Sequence, residues 1–300
     1  MTNRSERVGF IGLGVMGSAM ARRLLTEGFN LTIYDIDKAK SEPLASHINC
    51  INTETPAEVM RLSSRLIIML PTSDHVDTVL FSDKGIISEI KPADLILEMS
   101  TGNVAQLEQQ AERIIAMKAV FIDAPVCLSP AEAATGQLIS LVGGDLNSVK
   151  CADKILASLS QRIIHAGPTG FGLRLKLINN YMSMVNHVLT GEVLALAKAV
   201  GLDRPITVDL LQNTAAGCGQ LRTNFPKKVL NGDTSADFSV NMGIKDLSMS
   251  ISMLKKFQDI ASFGPIARNH FREAAEEGYG VKDCTAILEY FDEKISNIAS

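Results

Sequence analysis

The chain has 300 residues, a formal net charge of −4, 46% hydrophobic and 21% charged residues, an ordinary globular composition that excludes disorder over most of its length. At roughly 150 residues per core, two domains are expected. The weak negative charge, with no run of five Lys or Arg, excludes a nucleic-acid patch, and no apolar stretch reaches the ~18 uninterrupted residues of a membrane span.

The opening MTNRSER is polar and leads straight into VGFIG, so no signal peptide is expected. Five widely spaced cysteines, Cys50, Cys127, Cys151, Cys218 and Cys284, lack C-x-x-C spacing and read as reduced thiols of a cytoplasmic protein. The histidines have no metal-ligand spacing, so no metal is expected.

From Val8 to Gly167, short apolar runs alternate with helical patterns: VGFIG (8–12), LTIYD (31–35), LIIML (66–70), LILEMS (95–100), VFIDAP (120–125), ISLVGG (139–144) and RIIHAG (162–167). Continuous rather than alternating apolarity marks strands covered on both faces, hence a mostly parallel sheet between helices. After Gly172, Leu173, Leu177, Tyr181, Val188, Leu189, Leu196 and Val200 recur at helical spacing. This predicts one helix of roughly 30 residues, about 45 Å long, ended by Gly201. Further helices are predicted in PITVDLLQNTA, KDLSMSISMLKKFQ, PIARNHFREAAEE and TAILEYFDEKISNIA, with almost no strand-like segment after residue 180.

The first strand runs into Gly12-Leu13-Gly14-Val15-Met16-Gly17, a G-x-G-x-x-G turn that opens the helical pattern SAMARRLL. Strand before, helix after and an acid at the next strand's end are the context of a dinucleotide site, with the pyrophosphate on the helix N-terminus. That acid is Asp35, 21 residues after Gly14. Its carboxylate can accept from both ribose hydroxyls and would repel a 2′-phosphate, and Asp37 adds to the exclusion, so the cofactor expected is NAD rather than NADP. Leu70, Pro71 and Thr101 lie at later strand ends, where such a sheet places ligand contacts. The fold class expected is α/β: a Rossmann doubly wound parallel sheet over residues 1–167, then an all-α domain over 168–300, joined by the long helix.

On that helix Lys176, Asn179 and Asn180 stand at i, i+3 and i+4, so all three can face one cleft. A lone helical lysine is ordinarily solvated, but two adjacent asparagines in an apolar helical stretch lower helix propensity and call for a reason. Cys127 could be read as a nucleophile; with no histidine placed by motif to activate it, it reads instead as a pocket wall. His165 reads as a strand-end residue.

The stretches GFIGLGVMGSAMARRLL, LPTSDHV, DAPV, GFGLRLKLINNYM and the late KDL together resemble the β-hydroxyacid dehydrogenases of the 3-hydroxyisobutyrate dehydrogenase and tartronate semialdehyde reductase type, over nearly all of residues 7–291. KLINNYMS, NTAAGCGQ, FPKKVLNGD and CTAILE most resemble the sulfolactaldehyde reductase branch. The resemblance implies hydride transfer between NADH and a small acid semialdehyde, or its hydroxy acid in reverse. It makes Lys176 the general acid/base, Asn180 (with Asn179 beside it) a holder of the reacting oxygen or the acid group, and Lys245 a second lysine near the nicotinamide. It also implies a homodimer or homotetramer. Most members read Ser-Gly-Gly where this chain has Cys127-Leu128-Ser129, the loop expected to bind the acid group. Leu128 replaces the arginine that the sulfolactaldehyde reductase branch uses for a sulfonate, which argues against that substrate. Ser129 and the loop amides could still hold a carboxylate, with Arg222 as a replacement cation. A 6-phosphogluconate dehydrogenase-like decarboxylase would need a longer chain. A non-catalytic NAD-binding module would be expected to have lost Lys176.

Overall fold

Neighbouring residues along the central strands bury themselves in two different apolar layers. Phe10, Ile67 and Ile122 pack in one cluster with Leu24, Leu31 and Leu156, while Ile11, Ile68 and Phe121 pack in another with Val59, Ile96 and Leu107. This is the physical content of the continuous apolar runs: successive side chains point to opposite faces, and both faces are covered by helices.

The computed structural model describes residues 4–299. It divides into two compact units, one ending at Met182 and the other beginning at Ser183. In the first, nine strands form one sheet: β1 (Arg7–Ile11), β2 (Asn30–Tyr34), β3 (Cys50–Asn52), β4 (Arg65–Ile68), β5 (Leu95–Glu98), β6 (Val120–Asp123), β7 (Val126–Cys127), β8 (Leu138–Gly143) and β9 (Ser160–Gly167). Their spatial order is β3-β2-β1-β4-β5-β6-β8-β7, with β9 beside β8. The strands from β3 to β6 in this order are all parallel. β8 runs against β6 and β7 but along β9. All seven expected strands are present. β3 and β7 carry too few apolar residues to stand out in sequence.

Apart from α1, the helices between strands start where side chains can hold their free amides. α1 (Val15–Thr26) follows β1 and α2 (Lys38–Ala45) follows Asp37, which caps it. α3 (Pro56–Leu62) has Thr55 and a leading proline, α4 (Ser73–Phe81) has Thr72, and α5 (Val104–Ala116) has Asn103. α6 (Pro130–Thr135) begins with a Ser129–Glu132 capping box, and α7 (Leu146–Leu159) with Asp145.

α8 (Phe171–Ala199) is the long helix the spacing predicts, 29 residues. Gly201 ends it in a left-handed conformation, φ +86°. The second unit continues with α9 (Arg204–Gln212), the one-turn helices α10 (Ala215–Cys218) and α11 (Asn224–Lys227), then α12 (Val240–Met253), α13 (Phe263–Ala274) and α14 (Ile287–Ala299). Its small core is built on Val240, Ala274, Tyr279, Ala286 and Tyr290. The sheet followed by an all-helical region is the α/β fold class expected.

Candidate active site

The turn between β1 and α1 is shaped by its glycines. Gly12 sits at φ +96°, and a side chain there would press on the Met69 carbonyl; one on Gly17 would collide with the Gly12 carbonyl. By contrast, a Cβ on Gly14 meets nothing within 4 Å. The middle glycine thus faces open space, and the first amides of α1 have no side-chain cap, the arrangement that receives a pyrophosphate.

Asp35 follows β2 and accepts the Leu13 N–H through Oδ2 at 2.6 Å and the Asp37 N–H through Oδ1 at 2.9 Å. It also lines a cavity of about 310 Å³ at the carboxyl ends of β1 and β2, with Gly12, Tyr34, Ile36, Thr55 and Leu70 among its walls. A second cavity, of about 240 Å³, is lined by Pro71, Thr72, Thr101 and Asn103 beyond β4 and β5. These are positions where NAD fits: amides for its phosphates, a carboxylate for a ribose, and strand-end hollows on either side. Leu13 itself is buried, whereas Val15 is exposed and Met16 half-buried. Tyr34, Thr55 and His75 also line the first cavity and were not singled out in sequence. The signal available was position: Tyr34 ends β2, Thr55 follows β3 and His75 lies in the first turn of α4, after β4.

Three strands along, the carboxylates Glu98 and Asp123 stand in register on β5 and β6. They are 2% and 0% exposed. Glu98 accepts the Ser100 N–H at 3.0 Å, and Ser100 Oγ accepts the Leu70 N–H at 2.9 Å. Burial, aided by the charge of Asp123, pushes the Glu98 carboxyl up to about 7. Asp123 is also raised by burial, against the pull of the amides that bond it.

Past Asp123 the chain forms β7 and the loop Cys127-Leu128-Ser129. The half-buried Lys176 of α8 reaches this loop, its Nζ standing 3.8 Å from Cys127 Sγ. Asn179 Nδ2 donates to Asn180 Oδ1 at 3.3 Å; Asn180 is half-buried and Asn179 exposed. Leu128 is 50% exposed and takes a left-handed backbone, φ +84°. Both donors of Ser129 are occupied: its N–H donates to Glu132 Oε2 at 3.0 Å and its hydroxyl to the same oxygen. These bonds hold the Glu132 carboxyl below its ordinary range.

The first unit therefore gathers the glycine turn, Asp35, Leu70, Pro71, Thr101, Cys127 and Lys176 along one edge of one sheet. His165 lies on β9 with its ring bonded to the Gly144 carbonyl at 2.8 Å. In the second unit, Lys245 on α12 is exposed and paired with Asp246 at 3.2 Å, and Arg222 is exposed. All five cysteines are free. Among the described residues, no cluster of His, Cys, Asp or Glu is arranged for a metal, and no helix is long and apolar enough to cross a membrane.

A parallel sheet with a phosphate turn after its first strand and an acid after its second holds a dinucleotide at its carboxyl edge, the frame of the NAD-dependent oxidoreductases. Residues 7–167 match the family model for the NAD binding domain of 6-phosphogluconate dehydrogenase, and residues 170–291 that for the NAD-binding region of NADP-dependent 3-hydroxyisobutyrate dehydrogenase. The 3-sulfolactaldehyde reductase of Escherichia coli K12 is 34% identical, over 94% of this chain and 94% of its own. Human mitochondrial 3-hydroxyisobutyrate dehydrogenase is 28% identical, over 96% of this chain and 87% of its own. The solved structure of Mycobacterium tuberculosis 3-hydroxyisobutyrate dehydrogenase with L-serine matches with a TM-score of 0.67 at 25% identity, covering 96% of this chain and 99% of that one. The chain belongs to the β-hydroxyacid dehydrogenase family: it is an NAD(P)-dependent oxidoreductase of the 3-hydroxyacid type.

Proposed function

We propose that this enzyme interconverts a small acid semialdehyde and its hydroxy acid, with Lys176 as the general acid/base. The observation that carries this reading is the 3.8 Å approach of Lys176 Nζ to Cys127 Sγ, which sets an ammonium at the loop following β6. Bound NADH supplies the hydride. Lys176 gives a proton to the carbonyl oxygen in reduction, and in its neutral form takes the hydroxyl proton in oxidation. Asn180, one helical turn from Lys176, orients the reacting oxygen or the acid group, with Asn179 holding the Asn180 amide in place. The backbone at 12–17, Asp35, Leu70, Pro71 and Thr101 hold the cofactor.

The acid group is assigned to Cys127, Leu128 and Ser129. For Ser129 to serve it, the substrate must displace Glu132 as acceptor. 3-Sulfolactaldehyde, 3-hydroxyisobutyrate and L-serine, named for the relatives, are all three-carbon frames bearing an acid group. A sulfonate is the second reading, favoured by the 34% identity; the apolar Leu128 favours a carboxylate. Thermal-shift screening with NADH present separates the two, since a ligand that binds only the folded protein raises its melting temperature. Carboxylates are expected to stabilise and sulfonates not; the reverse pattern overturns the carboxylate reading.

We also propose residues 1–167 as the nucleotide-binding domain and 168–300 as the substrate and oligomerisation domain, a cytoplasmic location, and a homodimer or homotetramer. The boundary is supported by the two family models, which part between residues 167 and 170. Exposed Val188 on α8, Ile206 and Leu210 on α9, and Met249 and Met253 on α12 support self-association.

A further inference from the structure

We infer that Asp123 is a positioning residue for the reaction: its buried carboxylate receives the first turn of α8 and so fixes where Lys176 stands. α8 starts without a side-chain cap from its own flank. Asp123, some fifty residues earlier in the chain, supplies it, accepting the Gly170 N–H at 2.6 Å and the Leu173 N–H at 2.8 Å. The bonds to Asp123 are to amides at a positive helix end, where a carboxylate is the strongest acceptor and part of its desolvation is offset.

Leu173 is three residues before Lys176, so the docked part of α8 and the lysine share one face. Four residues beyond Asp123, Cys127 meets the lysine itself, Sγ to Nζ at 3.8 Å. Asp123 at the end of β6 and Cys127 at the end of β7 therefore close a ring with Leu173 and Lys176, meeting α8 at two points one turn apart. The bonds to the Gly170 and Leu173 amides hold the backbone of this first turn, and the lysine is carried with it.

The carboxylate has little freedom to shift. A side chain on Gly143 would collide with Asp123 Oδ1, and a Cβ on Gly172 would stand 2.8 Å from Oδ2 and 2.9 Å from the Gly143 nitrogen. Both glycines leave room for the carboxylate and for the Leu141 and Pro168 carbonyls beside it. A displacement of the lysine by about 1 Å suffices to lower a rate about 10²-fold.

This inference rests on the proposed role of Lys176, and its test is a double-mutant cycle in the full-length enzyme with NADH. Asp123→Asn keeps the shape but sets an NH₂ group against the amides of α8. Turnover is normalised to NADH-binding sites titrated by fluorescence, so that unfolded molecules drop out. Expected are a 10- to 100-fold fall in kcat and a KM for NADH within twofold of the original. In a Lys176→Ala background the same substitution should change kcat less than twofold, because it acts through the lysine. Asp123→Glu, which keeps the charge but lengthens the arm, serves if the Asn variant does not fold, with the same expectation. Unaltered kcat in either variant overturns the inference. So does a loss that multiplies undiminished in the Lys176→Ala background, while the lysine's own role survives. If Lys176→Ala alone keeps normal turnover, the role of the lysine fails first.

Discussion

Asp35 holds the glycine turn and faces the cofactor cavity at once: its Oδ2 accepts the Leu13 N–H at 2.6 Å, while the side chain lines the hollow beyond β2. In the cofactor site proposed, this carboxylate would repel a 2′-phosphate and accept from ribose hydroxyls. NADH should therefore give the higher kcat/KM, and comparable values for NADPH would refute this. Asp35→Ser should narrow the preference by about 10- to 100-fold, the worth of one or two charge-assisted bonds. Because the Leu13 amide loses its acceptor too, affinity for NADH itself should also fall, measurable by fluorescence titration.

Lys176→Ala should lower kcat by about 10²–10⁴, the usual range for loss of a general acid, with the dissociation constant for NADH unchanged. Lys176→Arg should not restore oxidation, since a guanidinium stays charged and cannot accept a proton. Asn180→Ala should also slow turnover; if it orients the reacting oxygen, its effect combined with Lys176→Ala should be less than the product of the two. Near-normal steady-state turnover in Lys176→Ala would direct attention to the loop of Cys127 and Ser129.

Seven of the nine strands, the dinucleotide turn and the long helix were legible in the sequence, because each rests on local pattern: unbroken apolar runs, glycine spacing, helical period. The ring around Lys176 was not, since Asp123 and α8 meet across some fifty residues and nothing local pairs them. A trace of it was nonetheless present. Glu98 in LILEMS and Asp123 in VFIDAP are acids inside apolar runs, and a charge that must be buried demands a partner. The engagement of Ser129 by Glu132 had its own signal, Ser-Pro-x-Glu, which is a capping box.

Glu98 gives the fold a pH dependence whose sign follows from its shift. The folded-state carboxyl titrates at about 7 against an ordinary 4.5. Stability from the protonated form is therefore full below about pH 4.5 and declines as pH rises through 7. Glu98→Gln, neutral at every pH, should gain on the parent between pH 5 and pH 8 by up to about 3 kcal/mol. Denaturant melts of both proteins at the two pH values check this. A constant difference between them would show that Glu98 is not linked to folding in this way.

Light scattering at micromolar concentration should return a dimer or a tetramer. The second unit buries few large side chains and leaves Ile206, Leu210, Met249 and Met253 exposed, a surface that water disfavours. A monomer under these conditions would contradict the proposed assembly.

Leu128 holds a left-handed backbone that a β-carbon disfavours by about 1–2 kcal/mol. Glycine at that position would be free of the penalty, at a cost of about 0.5–1 kcal/mol in unfolded-chain entropy, so Leu128→Gly offers at most a small gain for anyone hardening this enzyme against heat. It is also a poor one to accept blindly. A more robust protein made this way would have a more pliant loop beside its lysine, and thermostability and catalytic precision would be drawn from the same residue.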